Sequence, residues 1–391
     1  MRVVDLSIFL SGPFGTQILG DLGAEVIKVE LPEGDTTRNL PPHFIGKDSV
    51  YFASTNRNKK SLVVDFRRPQ GQALVEKLAA GADVLIENAK PGTLARYGIT
   101  FERYRAINPK LIFCSISGFG QTGPYRERPA YDMIVQALSG GMSLTGEEDG
   151  QPVRSGIPIA DLSAGMYAVI GILAALQERQ RTGVGRCLDI SMLDCQVAML
   201  SYQAAYHLFS GVVPGRQGRG HASIPTYRSF TAGDGRDFVV SANTDRMWRS
   251  LCEVIGRPDL RDDPRLATRP SRFEHRTEIW AALEEAFRGK SAAEWVAALM
   301  AADVPVAEVN TLDRTLNDPQ VRHRGMVVEL EDGHGAKLRV AGNPLKFSDT
   351  APEPHGFPPP LGAHTRDICK AVLGMTDGDV EALVAAGVLV A

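Results

Sequence analysis

The sequence predicts an α/β fold, with a Rossmann-like large domain containing a parallel sheet and a smaller α/β domain. Short β-branched runs alternate with segments of helical period over the first 125 residues, which is typical of βαβ crossovers. The length of 391 residues exceeds that of one average domain. A glycine-, proline- and arginine-containing stretch without hydrophobic period, Gly211–Pro225, separates two regions of regular pattern. Together these observations indicate two domains.

The expected elements follow in chain order. Strands are predicted at Val3–Leu6, Ala24–Glu30, Ser61–Asp65, Val84–Glu87, Leu111–Ser115, Cys187–Ile190, Tyr227–Thr231 and Asp237–Ser241. Helices are predicted at Phe14–Leu22, Gln70–Ala80, Phe101–Asn108, Leu162–Gln177, Leu193–Ser210, Thr244–Ile255, Arg272–Arg288 and Ala292–Ala302. The C-terminal part is expected to contain a hairpin of Val327–Leu330 with Leu338–Val340, a surface strap at Pro352–Pro360 and a helix at Asp379–Ala386.

The domain boundaries are placed where the hydrophobic pattern changes. Residues 1–200 with 320–391 are assigned to the large domain, and residues 222–312 to the small domain. Residues 201–221 are interpreted as a linker or mobile loop, and 313–319 as a return linker. The wider segment Asp313–Arg324 has the composition of a connection.

Composition argues against several partners. The net charge of −3 and the absence of long lysine or arginine runs give no basis for binding nucleic acid. The N-terminal run MRVVDLSIFL is short and contains Asp5, so we expect neither a signal peptide nor a membrane anchor. Five cysteines without CxxC spacing are expected to be reduced thiols in a cytoplasmic protein.

Standard cofactor motifs are weak. Gly118–Gly123 is a literal GxGxxG after a strand, but Pro124 and Pro129 prevent the helix that a dinucleotide site requires. We interpret it as a glycine-rich loop. The eight histidines are dispersed without HExxH spacing, so no metal site and no prosthetic group is expected.

Asp161 is the strongest catalytic candidate. It stands between the apolar run Ile157–Ala160 and a predicted helix, among small residues. One interpretation is an N-cap, for which aspartate is among the best residues. The other is a poorly hydrated carboxylate that the helix N-terminus keeps ionised and that attacks an activated carbonyl. Residue patterns alone leave both interpretations open.

Motifs in order along nearly the whole chain resemble the family III CoA-transferases, the CaiB/BaiF type that includes formyl-CoA and carnitine CoA-transferases. They are VVDLSIFLSGPFGTQILGDLGAEVIKVE, NRNKKSLVVDF, ADVLIENAKPG, LIFCSISGFGQTGP, YDMIVQALSGG, ADLSAG, GILAALQERQRTGVGRCLDISMLD, NDPQVRHRGMV, NPLKFS and PPPLGAHT. The resemblance implies an interlocked homodimer of two threaded subunits. It also implies coenzyme A (CoA) exchange between an acyl-CoA and a carboxylic acid acceptor, with CoA as substrate rather than prosthetic group.

The resemblance assigns roles to particular residues. Asp161 matches the nucleophile, which forms a mixed anhydride and then an aspartyl-CoA thioester. Contacts to CoA are implied for Ile8, Leu10, Ser11, Arg67, Asn88, Ala89, Lys90 and Arg96, with Arg57, Lys59 and Lys60 as a further cationic cluster. A solvated charged face is the alternative for Lys59 and Lys60. Residues expected near the acyl or acceptor pocket are Tyr51, Tyr131, Gly140, Gly141, Arg219 and His221.

Several alternatives remain at this stage. Related racemases of α-methylacyl-CoA have a histidine where this chain has Tyr131, and tyrosine is a poor base at neutral pH.

Gly215–His221 is either a lid carrying Arg216 and Arg219 or an interdomain linker. Leu10 replaces a polar amide of the formyl-CoA enzyme, which argues against oxalate/formate exchange. A non-catalytic CoA-binding role is the third hypothesis. Dicarboxylates and aryl or branched acids are both possible substrates.

Overall fold

The computed structural model describes residues 1–349 and 355–391. These residues form two compact units. The first consists of Met1–Gly141, Arg154–Val212 and Arg322–Ala391. The second consists of Met142–Val153 and Val213–Val321, so it includes a segment before Asp161 that the sequence had not assigned to the small domain.

The secondary structure alternates as expected in the first part of the chain. The strands are β1 Arg2–Asp5, β2 Glu25–Glu30, β3 Phe44–Ile45, β4 Asp48–Ser49, β5 Lys59–Val64, β6 Val84–Glu87, β7 Ile112–Ser117, β8 Cys187–Ser191, β9 Gly220–His221, β10 Ile224–Thr231, β11 Asp237–Ser241, β12 Val306–Glu308, β13 Val327–Glu331, β14 Lys337–Ala341 and β15 Leu389–Val390. The helices are α1 Ser11–Asp21, α2 Val50–Ala53, α3 Pro69–Ala80, α4 Phe101–Ile107, α5 Asp132–Leu138, α6 Gly141–Leu144, α7 Ile159–Thr182, α8 Met192–Met199, α9 Tyr202–Ser210, α10 Asp245–Val254, α11 Pro258–Asp262, α12 Arg269–Glu274, α13 Arg276–Phe287, α14 Ala292–Ala301, α15 Leu312–Asn317, α16 Pro319–His323, α17 Thr365–Ala371 and α18 Asp377–Ala385.

The first unit is built on a seven-stranded sheet of order β15-β5-β2-β1-β6-β7-β8. Its strands pair in parallel, except that β15 is antiparallel to β5. The predicted α/β fold with a parallel sheet is therefore confirmed. The chain runs outward from β1 to β5 on one side and from β6 to β8 on the other. The loops after β1 and β6 therefore border a topological switch point, where open α/β sheets bind ligands.

Helices cover both faces of this sheet. On one face, residues of α3, α17 and α18 pack on the strands through Leu62, Leu74, Leu85, Ile368 and Val380. On the other face, α1, α7 and α8 contribute to a second core with Val3, Ile86, Ala164, Ile172 and Met192. Burial on both sides explains why the strands read as continuous apolar runs rather than alternating ones.

Helices α1 and α7 approach each other at two glycines. A Cβ atom on Gly165 would lie 2.6 Å from the carbonyl oxygen of Ser11, and one on Gly15 would lie 3.0 Å from the carbonyl oxygen of Gly165. Larger residues would force the two helices apart. This contact brings the first residue of α1 beside Asp161, one turn before Gly165 on α7.

Helix α7 is long and apolar enough to cross a bilayer, judged by length and composition alone. Ala164, Ala168 and Ile172 on this helix are fully buried in the core of the first unit. Packing against the sheet therefore accounts for one apolar face of the helix.

The second unit has its own sheet and core. Its antiparallel sheet has the order β12-β11-β10-β9. Phe230, Phe238, Phe287 and Trp295 form an aromatic cluster, with the Phe287 ring centroid 4.9 Å from that of each other phenylalanine. Such a cluster stabilises a small domain through buried area and edge-to-face contacts.

Three local expectations were wrong. The helix predicted over Leu193–Ser210 is divided into α8 and α9, with Ser201 at φ +49° between them. The helix predicted over Arg272–Arg288 is divided into α12 and α13 at His275. Helix α7 begins at Ile159 rather than Leu162. The expected strap at Pro352–Pro360 lies partly outside the described residues.

Candidate active site

Asp161 lies in a cavity at the switch point of the large sheet. The cavity has a volume of about 410 Å³. Its walls come from the loop after β1, the loop after β6, the segment before α5 and the start of α7, represented by Phe9, Asn88, Tyr131 and Asp161. Parallel strands place their following loops at one edge of the sheet, which brings together residues far apart in sequence.

Asp161 is in the first turn of α7 but does not cap it. The N-cap position is occupied by Pro158, which provides no side-chain cap. Instead, the Asp132 carboxylate accepts hydrogen bonds from the backbone N–H groups of Ala160 at 2.8 Å and Asp161 at 3.4 Å. The N-cap interpretation of Asp161 is therefore wrong. Asp161 lines the cavity together with Ser11.

The ionisation of Asp161 also differs from the expectation. Burial and the nearby Asp132 carboxylate raise the pKa of Asp161 to about 7, while the hydrogen bond from Ser11 opposes the shift. The sequence predicts that the helix N-terminus keeps this group ionised. The desolvation of the charge outweighs that effect. A carboxylate with a pKa near neutrality is a functional-site candidate because it is a stronger nucleophile than an ordinary aspartate.

Asp132 has a role beside Asp161 that the sequence did not predict. It is the first residue of α5, and the Gln136 amide donates to its second oxygen at 2.7 Å. Its role as the cap of α7, through a hydrogen bond from Ala160 28 residues later, depends on tertiary structure. The only sequence signal was an acidic residue directly after Tyr131, at the start of an apolar helical segment.

The residues expected to contact CoA occupy different surroundings. Ile8 and Ser11 line the cavity of Asp161, as do Asn88, Ala89 and Lys90. Leu10 is buried and lines a second, mainly apolar cavity of about 480 Å³ with Phe14, Leu162 and Met166. The CoA contacts of all these residues stay predictions.

The cations of the cavity are not all those expected from the sequence. Lys90, Arg126 and Arg128 line it. Lys90 lies 3.3 Å from the Glu127 carboxylate, and the Arg128 guanidinium stacks 3.6 Å above the Tyr125 ring. The sequence did not predict that Arg126 and Arg128 line the cavity. They lie in an irregular segment, which has no helical or strand period from which the direction of a side chain could be inferred.

Arg67 and Arg96 lie elsewhere on the surface of the first unit. The Arg67 guanidinium pairs with Asp65 at 2.7 Å and Glu33 at 3.0 Å. Arg96 is exposed and contacts the carbonyl oxygen of Thr93 at 3.5 Å. Their proposed contacts with CoA phosphates stay predictions.

Lys59 fits neither interpretation that the sequence suggested. Its ammonium group is fully buried, 3.2 Å from Asp5 and 2.9 Å from the side-chain oxygen of Asn56. Burial lowers the pKa of Lys59 to about 8. Arg57 is also buried and pairs with Asp21 at 2.6 Å, whereas Lys60 is exposed beside Glu25. Arg57 and Lys59 therefore brace the fold, whereas Lys60 is solvent-exposed.

The residues expected near the acyl group remain candidates. The Tyr131 ring lines the cavity and meets the Phe9 ring edge-on at 5.9 Å. Burial and the carboxylates of Asp161, Asp35 and Asp132 raise the pKa of Tyr51. Gly140 has φ +86°, and the N–H group of Gly141 donates to the Ser139 hydroxyl at 3.3 Å.

Arg219 and His221 belong to the second unit. Arg219 pairs with Asp237 at 2.6 Å, and the His221 ring stacks on Tyr227 at 5.6 Å. Arg216, also considered for the lid, donates to the carbonyl oxygens of Glu147 and Glu148. Whether this segment is a lid stays a prediction.

Comparison with known proteins gives a consistent result. The family model for CoA-transferase family III matches residues 1–365. The chain is 40% identical to the succinyl-CoA:glutarate CoA-transferase of Mus musculus over 390 residues, which cover 100% of this chain and 89% of the mouse protein. It is 40% identical to the acetyl-CoA:oxalate CoA-transferase of Acetobacter aceti, with 92% and 90% of the two chains covered.

A solved structure extends the likeness to the fold. The crystal structure of a CAIB/BAIF family protein from Brucella suis superposes with a TM-score of 0.85 at 39% identity. The match covers 95% of this chain and 98% of the Brucella chain.

The raised pKa of Asp161 predicts that Asp161→Asn stabilises the protein at alkaline pH. The folded pKa lies above the ordinary value, so burying the charge costs stability above pH 7, and this cost disappears as the pH falls towards 4. We expect a gain in unfolding free energy on the order of 2 kcal/mol at pH 8, after allowance for partial exposure. Urea unfolding at pH 8 and pH 4.5, at fixed protein concentration, measures it.

Asp367→Asn is the matched control, because Asp367 also occupies the third position of a helix but is exposed. Its replacement should leave stability unchanged or slightly lower at pH 8. Equal effects of the two substitutions at pH 8 would contradict a desolvated Asp161.

Proposed function

The chain belongs to CoA-transferase family III, and we propose that it moves CoA from an acyl-CoA thioester to a free carboxylic acid through covalent intermediates on Asp161. The observation that carries this mechanism is the placement of Asp161. It is a carboxylate with a pKa of about 7 in a cavity lined by small, apolar and cationic residues. Such a group is ionised often enough near neutral pH to attack, and basic enough to be an effective nucleophile.

The proposed exchange has four steps that balance without an external energy source. The Asp161 carboxylate attacks the thioester carbonyl, giving a mixed anhydride and CoA thiolate. The thiolate attacks the aspartyl carbonyl, which releases the donor carboxylate and forms an aspartyl-CoA thioester. The acceptor carboxylate attacks this thioester, giving a second mixed anhydride and CoA thiolate. The thiolate finally attacks the acyl carbon of the acceptor, giving the acceptor-CoA thioester. Asp161 is then regenerated as a carboxylate.

The oxyanion that forms in each step needs preorganised donors. The N–H groups of Ile8 and Phe9 are already bound by Asn88 and Asp35. The N–H group of Gly141 is bound by Ser139. The first turn of α1 has no side-chain cap, and the first N–H groups of a helix have no intrahelical acceptor. We therefore assign oxyanion stabilisation to the backbone N–H group of Ser11, which lines the cavity.

The mechanism predicts an acyl or CoA adduct on Asp161. Incubation with acyl-CoA followed by hydroxylamine should convert Asp161 to a hydroxamate, detectable by peptide mass spectrometry, and Asp161→Ala should lower exchange by at least about 10⁴-fold. Asp194→Ala is the control, because Asp194 lies in the first turn of α8 and does not line the cavity.

Full exchange activity of Asp161→Ala would refute the covalent mechanism. Deuterium incorporation at the α-carbon of the acyl group without any acceptor acid would instead support the racemase alternative. CoA binding without turnover of any acid pair would support a non-catalytic role.

For the substrate class, we propose a dicarboxylate acceptor such as glutarate or succinate. Relatives with about 40% identity are named for succinate with glutarate, in Mus musculus and Agrobacterium fabrum, and one in Acetobacter aceti is named for oxalate. Arg128 supports this assignment because it shares the cavity with Asp161 and forms no ion pair with the described residues. One acceptor carboxylate would attack the enzyme thioester while the other meets this guanidinium.

Arg128→Gln should therefore discriminate between acceptors. We expect the KM for glutarate to rise about tenfold or more, with the KM for a monocarboxylate of equal chain length unchanged. Steady-state kinetics with succinyl-CoA as donor measures the ratio. Arg366→Gln, at an exposed ion pair with Glu381, is the control. An equal rise of KM for both acceptors and for acyl-CoA would assign Arg128 to CoA phosphates and overturn the acceptor role.

We also propose the interlocked homodimer that the family resemblance implies. Large apolar side chains are exposed along α9 of the first unit, including Leu208 at 82% and Phe209 at 94% of their accessible area, and Ile170 on α7 is 61% exposed. Several large exposed apolar side chains are typical of subunit interfaces. A second copy of the chain is the occupant that we assign to it.

The dimer should persist on dilution, because threaded subunits separate only when they unfold. Light scattering at nanomolar to micromolar concentration should give twice the mass of 42.3 kDa throughout. Phe209→Asp should reduce dimer recovery, whereas Phe44→Asp, at an exposed phenylalanine of the β3–β4 hairpin, should not. Subunit exchange between tagged and untagged dimers within minutes would contradict interlocking.

A further inference from the structure

The first turn of α7, which carries Asp161, is held by a side chain from another helix. Pro158 occupies the N-cap position and provides no side-chain acceptor. One oxygen of the Asp132 carboxylate accepts from the backbone N–H groups of Ala160 and Asp161, at 2.8 Å and 3.4 Å. The first N–H groups of a helix have no intrahelical acceptor. Asp132 therefore binds the backbone of the proposed nucleophile itself.

Gln136 links Asp132 to the segment that leads into α7. It lies one turn after Asp132 on α5 and is 3% exposed. Its amide nitrogen donates to the second Asp132 oxygen at 2.7 Å, and its amide oxygen accepts from the N–H group of Ser155 at 2.9 Å. A carboxylate only accepts and a backbone N–H only donates, so these two partners fix the orientation of the amide.

The opposite side of the same turn is held by α8. The buried Gln196 amide donates to the carbonyl oxygen of Ile159 at 3.3 Å and to the Ser163 hydroxyl oxygen at 3.2 Å. The Ser163 hydroxyl in turn donates to the carbonyl oxygen of Ala160 at 3.1 Å. Hydrogen bonds from α5 and α8 therefore fix the backbone around Asp161, and its side-chain torsions are the freedom that remains.

The cap and the charge near Asp161 come from the same residue. The Asp132 carboxylate raises the pKa of Asp161, in addition to the effect of burial. A neutral cap such as serine would bind the same N–H groups without this effect. Nucleophilic attack also requires the reacting atoms to be held close together and aligned, and a displacement of about 1 Å can cost roughly a hundredfold in rate. Position and charge can be separated by substitution.

We propose that Asp132 and Gln136 form a clamp of two positioning residues, which holds the first turn of α7 so that the Asp161 carboxylate meets the thioester carbonyl in a fixed place. Neither residue lines the cavity. Both act through the backbone of Ala160 and Asp161. The inference rests on the proposed function of Asp161 as nucleophile.

Reversing the hydrogen bond between the two clamp residues tests the proposal. Gln136→Glu places two carboxylates against each other, and Asp132→Asn places two amide N–H groups against each other. We expect each substitution to lower kcat about ten- to a hundredfold, with the KM for acyl-CoA changed by less than about threefold. Steady-state kinetics at pH 8.5 measures this above the Asp161 pKa of about 7.

The double variant, Asp132→Asn with Gln136→Glu, exchanges donor and acceptor and restores the match. The new amide oxygen can still accept from Ala160, its nitrogen can donate to the new carboxylate, and that carboxylate can accept from Ser155. We therefore expect kcat to return to within about threefold of the unsubstituted protein.

Asn108→Asp is the matched control, because it also replaces an amide by a carboxylate. The Asn108 amide donates to the carbonyl oxygens of Ala79 and Ala82 at 3.0 Å and 2.9 Å and does not line the cavity. Its replacement should lower the melting temperature and leave kcat unchanged.

Hydrogen exchange of a peptide that contains Ile159–Ser163 follows the clamp without turnover. Exchange should be faster in each single variant and slow again in the double variant. Unchanged kcat in the single variants, or a double variant in which kcat does not recover, would overturn the clamp. If exchange and kcat follow the expected pattern but no hydroxamate forms on Asp161, the clamp stands and the nucleophilic role fails.

Discussion

The close contact between α1 and α7 is the constraint on which the site depends. Gly15 and Gly165 leave no room for a methyl group between the two helices. As a result, the uncapped N-terminus of α1 and the first turn of α7 meet at the carboxyl edge of the sheet. Both helix ends contribute polar groups, Ser11 from one and Asp161 from the other. A wider crossing would separate the hydroxyl from the carboxylate.

Charged side chains in the first unit differ in whether an opposite charge lies beside them, and this difference affects their reactivity. Lys28 and Lys59 are buried with Asp35 and Asp5, so each buried charge has a partner within 3.2 Å. No cation is paired with Asp161 among the described residues, and the charge that acts on it is that of another carboxylate, Asp132. Fully paired groups are suited to bracing a loop, whereas an unpaired carboxylate retains the basicity that nucleophilic attack requires.

The cavity combines the proposed nucleophile with positive charge. Asp161 lines it together with Lys90, Arg126 and Arg128. Anionic substrates, whether CoA phosphates or a second carboxylate, would be attracted to these cations and present a carbonyl group to Asp161.

The sequence by itself determined the parallel α/β sheet, the family and the enzyme class, because hydrophobic period and motif order can be read directly from the linear chain. It also singled out Asp161 from an acid among small and apolar neighbours. Tertiary structure decided what surrounds that acid. Asp132 caps α7 from 28 residues away, Lys59 is buried rather than exposed, and Arg128 rather than Arg67 lines the cavity. The ionisation of a carboxyl group depends on its burial and on its distance from other charges. Both are determined by which loops meet at the switch point of the sheet, and a local sequence pattern does not encode that.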